Sequence, residues 1–222
     1  TDYANKILFS LDLSLQTVDK AKSLGCDTII THHPAIYAPI KQLSIYDQTK
    51  PLLLAIQYQM NVLSYHLNLD ISSAGIDHSL ALGLNAKDIE IIDFIDQEHG
   101  YGRRANVKSQ SLQQFVEHIK KTFNTDKVVY YGNKTVSKIA SFCGSGGSTA
   151  MQCVSSGVEV DTIITSDLPH HYLKELIEYD KNVVILPHYV SEQYGFNRFF
   201  ELLTQKLDSK AQTFYFVDDR FM

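Results

Sequence analysis

At 222 residues the chain is long enough for one large domain or two small ones, and a hydrophobic content of 44% suits an ordinary packed core and argues against disorder. A formal net charge of -5 and the lack of any Lys/Arg block argue against a nucleic-acid partner; the one Arg pair, Arg103-Arg104, reads as solvated. No apolar run approaches the roughly 18 residues of a transmembrane helix. The start, Thr1-Asp2-Tyr3-Ala4-Asn5-Lys6, does not read as a signal peptide. Three cysteines (Cys26, Cys143 and Cys153), odd in number and without a C-x-x-C, fit a reducing, cytoplasmic setting better than a disulfide framework.

Short β-branched runs alternate with helix-period segments. Lys6–Leu13 reads as a strand, followed by a helix capped by Ser14, running to Leu24 and closed by Gly25. Asp27–Thr31 is the next strand, Pro51–Met60 a helix, and Val62–Leu69 a strand ending at Asp70. Ala74–Leu84 is helical, with Ser72-Ser73 able to cap it, and Ile89–Ile95 is extended. After His99-Gly100-Tyr101-Gly102 the pattern restarts with extended Arg104–Val107, a helix from the Ser111 cap to Phe123, and strands Lys127–Tyr131 and Val136–Cys143. The turn Gly144-Ser145-Gly146-Gly147-Ser148 leads into a helix to about Ser156, then strand Thr162–Thr165, helix Leu168–Tyr179 and strand Val183–Leu186. A helix Ser191–Leu207, capped by Ser191, and a strand Thr213–Val217 complete the chain. Alternation of this kind predicts an α/β fold with mainly parallel sheets.

One unit echoes another. Ser23-Leu24-Gly25 and Asp27-Thr28-Ile29-Ile30-Thr31 match Ser155-Ser156-Gly157 and Asp161-Thr162-Ile163-Ile164-Thr165. Two copies are too few for a solenoid and suit two α/β lobes of similar build.

Three strand ends carry residues with metal or proton chemistry. His32-His33 follows the apolar Thr28–Thr31 run and precedes Pro34, which has no N–H to extend a ladder. Successive strand residues point to opposite faces, so a flat strand cannot aim both rings at one ion; a bend, or two ions, can use both. In His66-Leu67-Asn68-Leu69-Asp70 the period-two reading places His66, Asn68 and Asp70 on one face, although Asp70 also suits a turn. In Pro187-His188-Tyr189-Val190-Ser191-Glu192 the imidazole ends a strand, and the Ser191 cap puts Glu192 in the first helical turn, where the dipole favours a carboxylate. Strand carboxyl ends are where open α/β sheets bind ligands. Three imidazoles and two carboxylates exceed one tetrahedral zinc and suit two divalent ions, drawn from Zn, Fe, Mn, Co or Ni. Asp167 and His171 follow the second Thr-Ile-Ile-Thr run and mirror the histidine pair. The Gly144–Ser148 turn lacks the G-x-G-x-x-G and P-loop patterns, and Cys143 reads as a small core residue rather than a nucleophile.

Together, Thr31-His32-His33-Pro34 with Pro39-Ile40-Lys41, His66-Leu67-Asn68-Leu69-Asp70, the Gly144–Ser148 turn, Thr165-Ser166-Asp167 with His171, and Pro187-His188-Tyr189 with Ser191-Glu192 resemble the NIF-three-like family, whose members are also called GTP cyclohydrolase 1 type 2 homologues. The resemblance runs from about Ile7 to Leu203, with Ser166 in place of the family's usual Gly. The family usually opens with a helix and a Trp-Asp-Asn-x-Gly-Leu segment, and this chain has no Trp. The resemblance implies a hexamer and two metal ions per chain on His32, His33, Asp70, His188 and Glu192, with Glu192 the bridge. It implies a first lobe of residues 1–98 and 188–222, carrying the ligands, and an inserted second lobe of residues 99–187. The implied activity is metal-dependent hydrolysis of a small molecule or nucleotide, with His66, Asp167 or His171 supporting the ligands or moving protons. The alternative is a non-enzymatic metal-binding scaffold or regulator that works through protein partners.

Overall fold

The computed structural model describes residues 4–222; Thr1-Asp2-Tyr3, part of the start read above, lie outside the described residues. In chain order the elements begin with β1 (Lys6–Ser10), α1 (Leu15–Leu24), β2 (Thr28–Thr31), α2 (Lys50–Gln57), β3 (Asn61–Ser64), α3 (Leu67–Asp70) and α4 (Ile76–Gly83). They continue with β4 (Lys87–Phe94), β5 (Gly100–Ser111), α5 (Leu112–Thr122), β6 (Val129–Tyr131), β7 (Thr135–Ser141) and α6 (Gly147–Ser155). The last are β8 (Thr162–Thr165), α7 (His170–Glu178), β9 (Asn182–Ile185), α8 (His188–Leu207) and β10 (Gln212–Tyr215). The α/β class expected from the alternation is what the chain adopts.

The chain divides into two compact units, one of Thr1–Leu69 with Phe196–Phe221 and one of Asp70–Gly195 with Met222. The first holds a four-stranded sheet in the order β10-β1-β2-β3, with every pairing parallel. Ser14 starts α1 by accepting from the Thr17 N–H, and Gly25 ends it at φ +68°, a left-handed conformation that costs glycine nothing. Leu8, Val18, Ala21, Ile29 and Ala55 pack one face of this sheet. On the other, Phe9 meets the rings of Phe196, Phe199 and Phe200 at 6.4, 6.2 and 5.1 Å.

The second unit holds a six-stranded mixed sheet in the order β4-β5-β7-β8-β9-β6. Its inner strands are buried on both faces, and the side-chain period of two sorts them. Ile139, Ile164 and Val184 join the core under α4 and α5, while Ala140, Ile163 and Val183 join the core under α6 and α7. A capping box between Ser111 and Gln114 starts α5.

The internal echo extends to individual hydrogen bonds. The N–H of Asp27 donates to Lys6 O, that of Asn61 to Asp27 O and that of Tyr65 to Thr31 O; the N–H of Asp161 donates to Lys138 O, that of Asn182 to Asp161 O and that of Leu186 to Thr165 O. In both units the aspartate side chain accepts from the following threonine hydroxyl, Thr28 at 2.9 Å and Thr162 at 2.7 Å. Both Thr-Ile-Ile-Thr strands are fully buried.

Several expectations need correction. The domain boundaries differ, because residues 70–98 and 188–195 fall with the middle of the chain. The cause is β4, which pairs antiparallel with β5 (Ile91 opposite Arg103, Asp93 opposite Tyr101), and α4, whose Leu80, Ala81 and Leu84 enter the second unit's core. β3 stops at Ser64, and residues 67–70 are helical, with the Leu69 N–H on His66 O at 2.8 Å. The period-two reading needs Leu67 and Leu69 equally buried, but they are 51% and 8% exposed. Helix α8 starts at His188, so Ser191 is not its cap; the Ser191 N–H already bonds Pro187 O, and its hydroxyl donates to His188 O. Gly75, not Ser72 or Ser73, precedes α4. Arg103 is not solvated: it is 1% exposed, and its guanidinium donates to the carbonyls of Gly100, Gly102 and Ser72, while Arg104 is exposed and pairs with Glu90.

Candidate metal centre

In the first unit the bend that the histidine pair requires is present. Beyond Thr31 the N–H groups of His32 and His33 both donate to Leu11 O, at 3.1 and 3.0 Å. Two successive donors on one carbonyl break the alternation of a strand and turn both imidazoles the same way. Their ring centroids lie 5.0 Å apart, and His66 joins them at 5.2 Å from His32 and 5.6 Å from His33. The three rings each offer a nitrogen within 4.8 Å of the other two. His32 is fully buried, and its Nδ1 donates to Tyr65 O at 2.7 Å; His33 is half-buried, and its Nδ1 donates to Asp12 Oδ1 at 2.7 Å.

The second unit carries the other named residues. His188 and Glu192 lie one turn apart on α8, with Nε2 3.1 Å from Glu192 Oε1. The other ring nitrogen, Nδ1, donates to Asp167 Oδ2 at 2.6 Å. The Glu192 hydrogen bond first, then the charges of Glu192 and Asp167 working against burial, pushes the His188 imidazole up to about 9. Asp167 holds its carboxylate there from a positive φ of 35°, a region that Asp tolerates better than most residues. Gly144 backs the pair at φ +53°: a Cβ on it would fall 2.5 Å from Glu192 Oε1 and within 3.3 Å of the His188 ring. Asp70, 5% exposed, accepts from the Cys143 thiol at 3.6 Å. Burial, then Asp77 and Asp70, raises the Cys143 thiol well above its usual range, so it is no ready nucleophile.

Asp77 is the buried carboxylate that the sequence did not single out. Its two oxygens accept from the N–H groups of Gly102 and Cys143, both at 2.8 Å, which ties α4 to β5 and to the start of the Gly-rich turn. Desolvation outweighs those bonds and pushes it up to about 6. Asp12 and Tyr65 were likewise missed, since an Asp after a strand and a backbone carbonyl carry no motif of their own. Of the two residues read as mirroring the histidine pair, Asp167 does bond His188, whereas His171 lies exposed on α7, its ring tilted against that of Tyr172 with centroids 4.1 Å apart.

The donor set fits divalent metal ions. Histidines that bind metals usually give their second ring nitrogen to a carboxylate or carbonyl, which fixes the tautomer and aims the other nitrogen. His32, His33 and His188 each give Nδ1 to such an oxygen, so each presents Nε2. An ion in place of the proton between His188 and Glu192 would meet one imidazole and one carboxylate together.

Comparison with known proteins places the chain in a family. It matches Duf34/NIF3 (NGG1p interacting factor 3) over residues 1–219 and belongs to that family. It is 30% identical over 214 residues to a "GTP cyclohydrolase 1 type 2 homolog" of Lactococcus lactis, covering 94% of this chain and 79% of the relative. It is 27% identical to the "NGG1-interacting factor 3" of Saccharomyces cerevisiae, covering 85% of this chain and 71% of that one. Among solved structures it superimposes on a Staphylococcus aureus hypothetical protein with a TM-score of 0.87 at 25% identity, covering 96% of this chain and 84% of that one. Among the described residues no helix is long and apolar enough to cross a membrane.

Proposed function

We propose that the chain binds two divalent metal ions and uses them to hydrolyse a small molecule or nucleotide. The ligands would be His32 and His33 of the first unit and Asp70, His188 and Glu192 of the second. The observation that carries this reading is the triple repetition of one device: three histidines from two segments, each with Nδ1 given to an oxygen from a different part of the chain. Divalent ions, when bound, supply Lewis acidity toward developing negative charge and make water a stronger acid. The chain's own part is orientation. Asp12, Tyr65 O and Asp167 hold the three imidazoles in one tautomer, and Gly144 leaves room for Glu192. His66, beside the histidine pair, is placed to take or return a proton. Ring nitrogens and carboxylate oxygens together favour Zn, Fe, Mn, Co or Ni over Ca or Mg.

The name borne by the Lactococcus relative makes GTP the first substrate to try. Metal-supplemented protein incubated with GTP, followed by chromatography, is expected to give product at a rate that His33→Ala abolishes. No product, or a rate unchanged in His33→Ala, counts against the GTP form of the reading.

A second reading, a metal-binding scaffold that works through partner proteins, is favoured by one observation. Between β2 and α2 the chain exposes Ile36, Tyr37, Ile40, Leu43, Ile45 and Tyr46, more apolar surface than scattered surface residues account for. A homohexamer, which the family resemblance implies, is one way to cover it.

A further inference from the structure

We propose that Tyr37 is the aromatic wall of the substrate site, where its ring stacks on a planar heteroaromatic ring. The molecule hydrolysed is then a nucleotide, rather than a sugar phosphate or an acyclic compound. This rests on the hydrolase reading above and narrows its substrate class.

Beyond β2, residues 32–49 form neither helix nor strand. Shortly after Pro34 this segment brings Tyr37 back beside the histidines. Its ring centroid lies 6.3 Å from that of His66 at an interplanar angle of 72°, within the range of an edge-to-face pair. His66 in turn meets His32 at 5.2 Å and His33 at 5.6 Å. A molecule of nucleotide size with its reacting group at the histidines therefore reaches Tyr37.

The His66 contact covers little of the ring: Tyr37 is 85% exposed, and Ile36 beside it 51%. An open phenol of this kind is no part of the core. Ligand sites commonly join a few convergent polar groups to an apolar or aromatic wall. Here the imidazoles form the polar end, and Ile36 and Tyr37 the apolar one. The phosphates and ribose of a nucleotide gain little from a phenol ring, whereas the base has a π-face of its own and gains a stack. Stacking tolerates any base, so Tyr37 should favour a nucleotide over a ringless analogue far more than one base over another.

The chain has no Trp, so Tyr37→Trp places a single indole at this wall. In the full chain supplemented with zinc, GTP, ATP and CTP should each quench its fluorescence saturably, while ribose 5-phosphate and tripolyphosphate should not. Without that substitution, Tyr37→Ala should weaken GTP binding at least about fivefold by calorimetry, and Tyr37→Phe should hold it near the wild-type value. Light scattering should give Tyr37→Ala the same mass as wild type. Equal GTP affinity in wild type and Tyr37→Ala, quenching by tripolyphosphate as strong as by GTP, or no saturable quenching by any of the three nucleotides overturns the inference. An altered mass of Tyr37→Ala also overturns it, by assigning the ring to a contact between copies. The hydrolase reading stands or falls separately, on product that metal-supplemented wild-type protein forms and His33→Ala does not.

Discussion

An imidazole is a good metal ligand only when the right nitrogen carries the lone pair, and that is decided by what the other nitrogen touches. Asp12 does this for His33 and Asp167 for His188. Asp12→Ala and Asp167→Ala should each weaken metal affinity by about 10- to 100-fold, read by competition with a chromophoric chelator. Asp→Asn at the same positions should recover part of the loss, since the amide oxygen still accepts from Nδ1–H. Gly144→Ala combines a left-handed backbone with a Cβ pressed on Glu192, and should cost about 1–3 kcal/mol of stability and lower metal affinity as well. Asp77 predicts a pH signature. Its folded value, about 6, lies above the ordinary 3.8. Between those pH values the folded chain keeps a proton that the unfolded chain has released, so stability falls as pH rises through the window. The full loss is about 3 kcal/mol. Denaturant midpoints of wild type minus Asp77→Asn, followed from pH 3.5 to 7 in metal-free buffer, should show that slope; a flat difference would contradict it. Asp12, Tyr65 and Asp77 share one reason for being hard to read from the sequence. His32, His33, His188 and Glu192 announce themselves by type and by position at strand ends, whereas Asp12, Tyr65 and Asp77 act through partners distant in the chain.

The repeated unit explains much of what was legible among the elements. Asp-Thr-Ile-Ile-Thr occurs twice because the same latch is built twice. The aspartate ties the start of its own strand to the strand before it, and an asparagine, Asn61 or Asn182, ties it to the strand after. The chemistry then falls at equivalent strand ends, with His32-His33 after β2 and Ser166-Asp167 after β8. Asp161→Ala removes acceptors for the Ser137 and Lys138 N–H groups and for two hydroxyls. We expect a loss of about 2–4 kcal/mol, measured by urea unfolding. Caps that work through side chains, Ser14 and Ser111, were readable as sequence signals. The two misread segments failed where local pattern competes with a turn. His66–Asp70 alternates like a strand but closes a helical turn, and Ser191 looks like a cap but lies inside a helix that starts at His188. Both errors bear on the site. The first correction brings His66 to the histidine pair, and the second puts His188 and Glu192 on one helix face.

For the whole molecule, family membership was visible in the order of the motifs, while the boundaries of its compact units were not. Residues 70–98 resemble the end of a first lobe when read in order, yet β4 completes the second sheet from its edge and α4 fills its core. Assembly belongs to this scale as well. Light scattering on the purified protein should give six times the protomer mass, and Tyr37→Ser with Tyr46→Ser should shift that value if the exposed segment between β2 and α2 lies between copies. The claim on which the rest depends is that the two units carry metal ligands. It is tested most directly by elemental analysis of wild-type protein, supplemented with a mixture of divalent metals, desalted, and scored as ions per chain. The account predicts about two ions per chain, falling when His33 or His188 is replaced by alanine. A value near zero in the supplemented wild-type protein would contradict it.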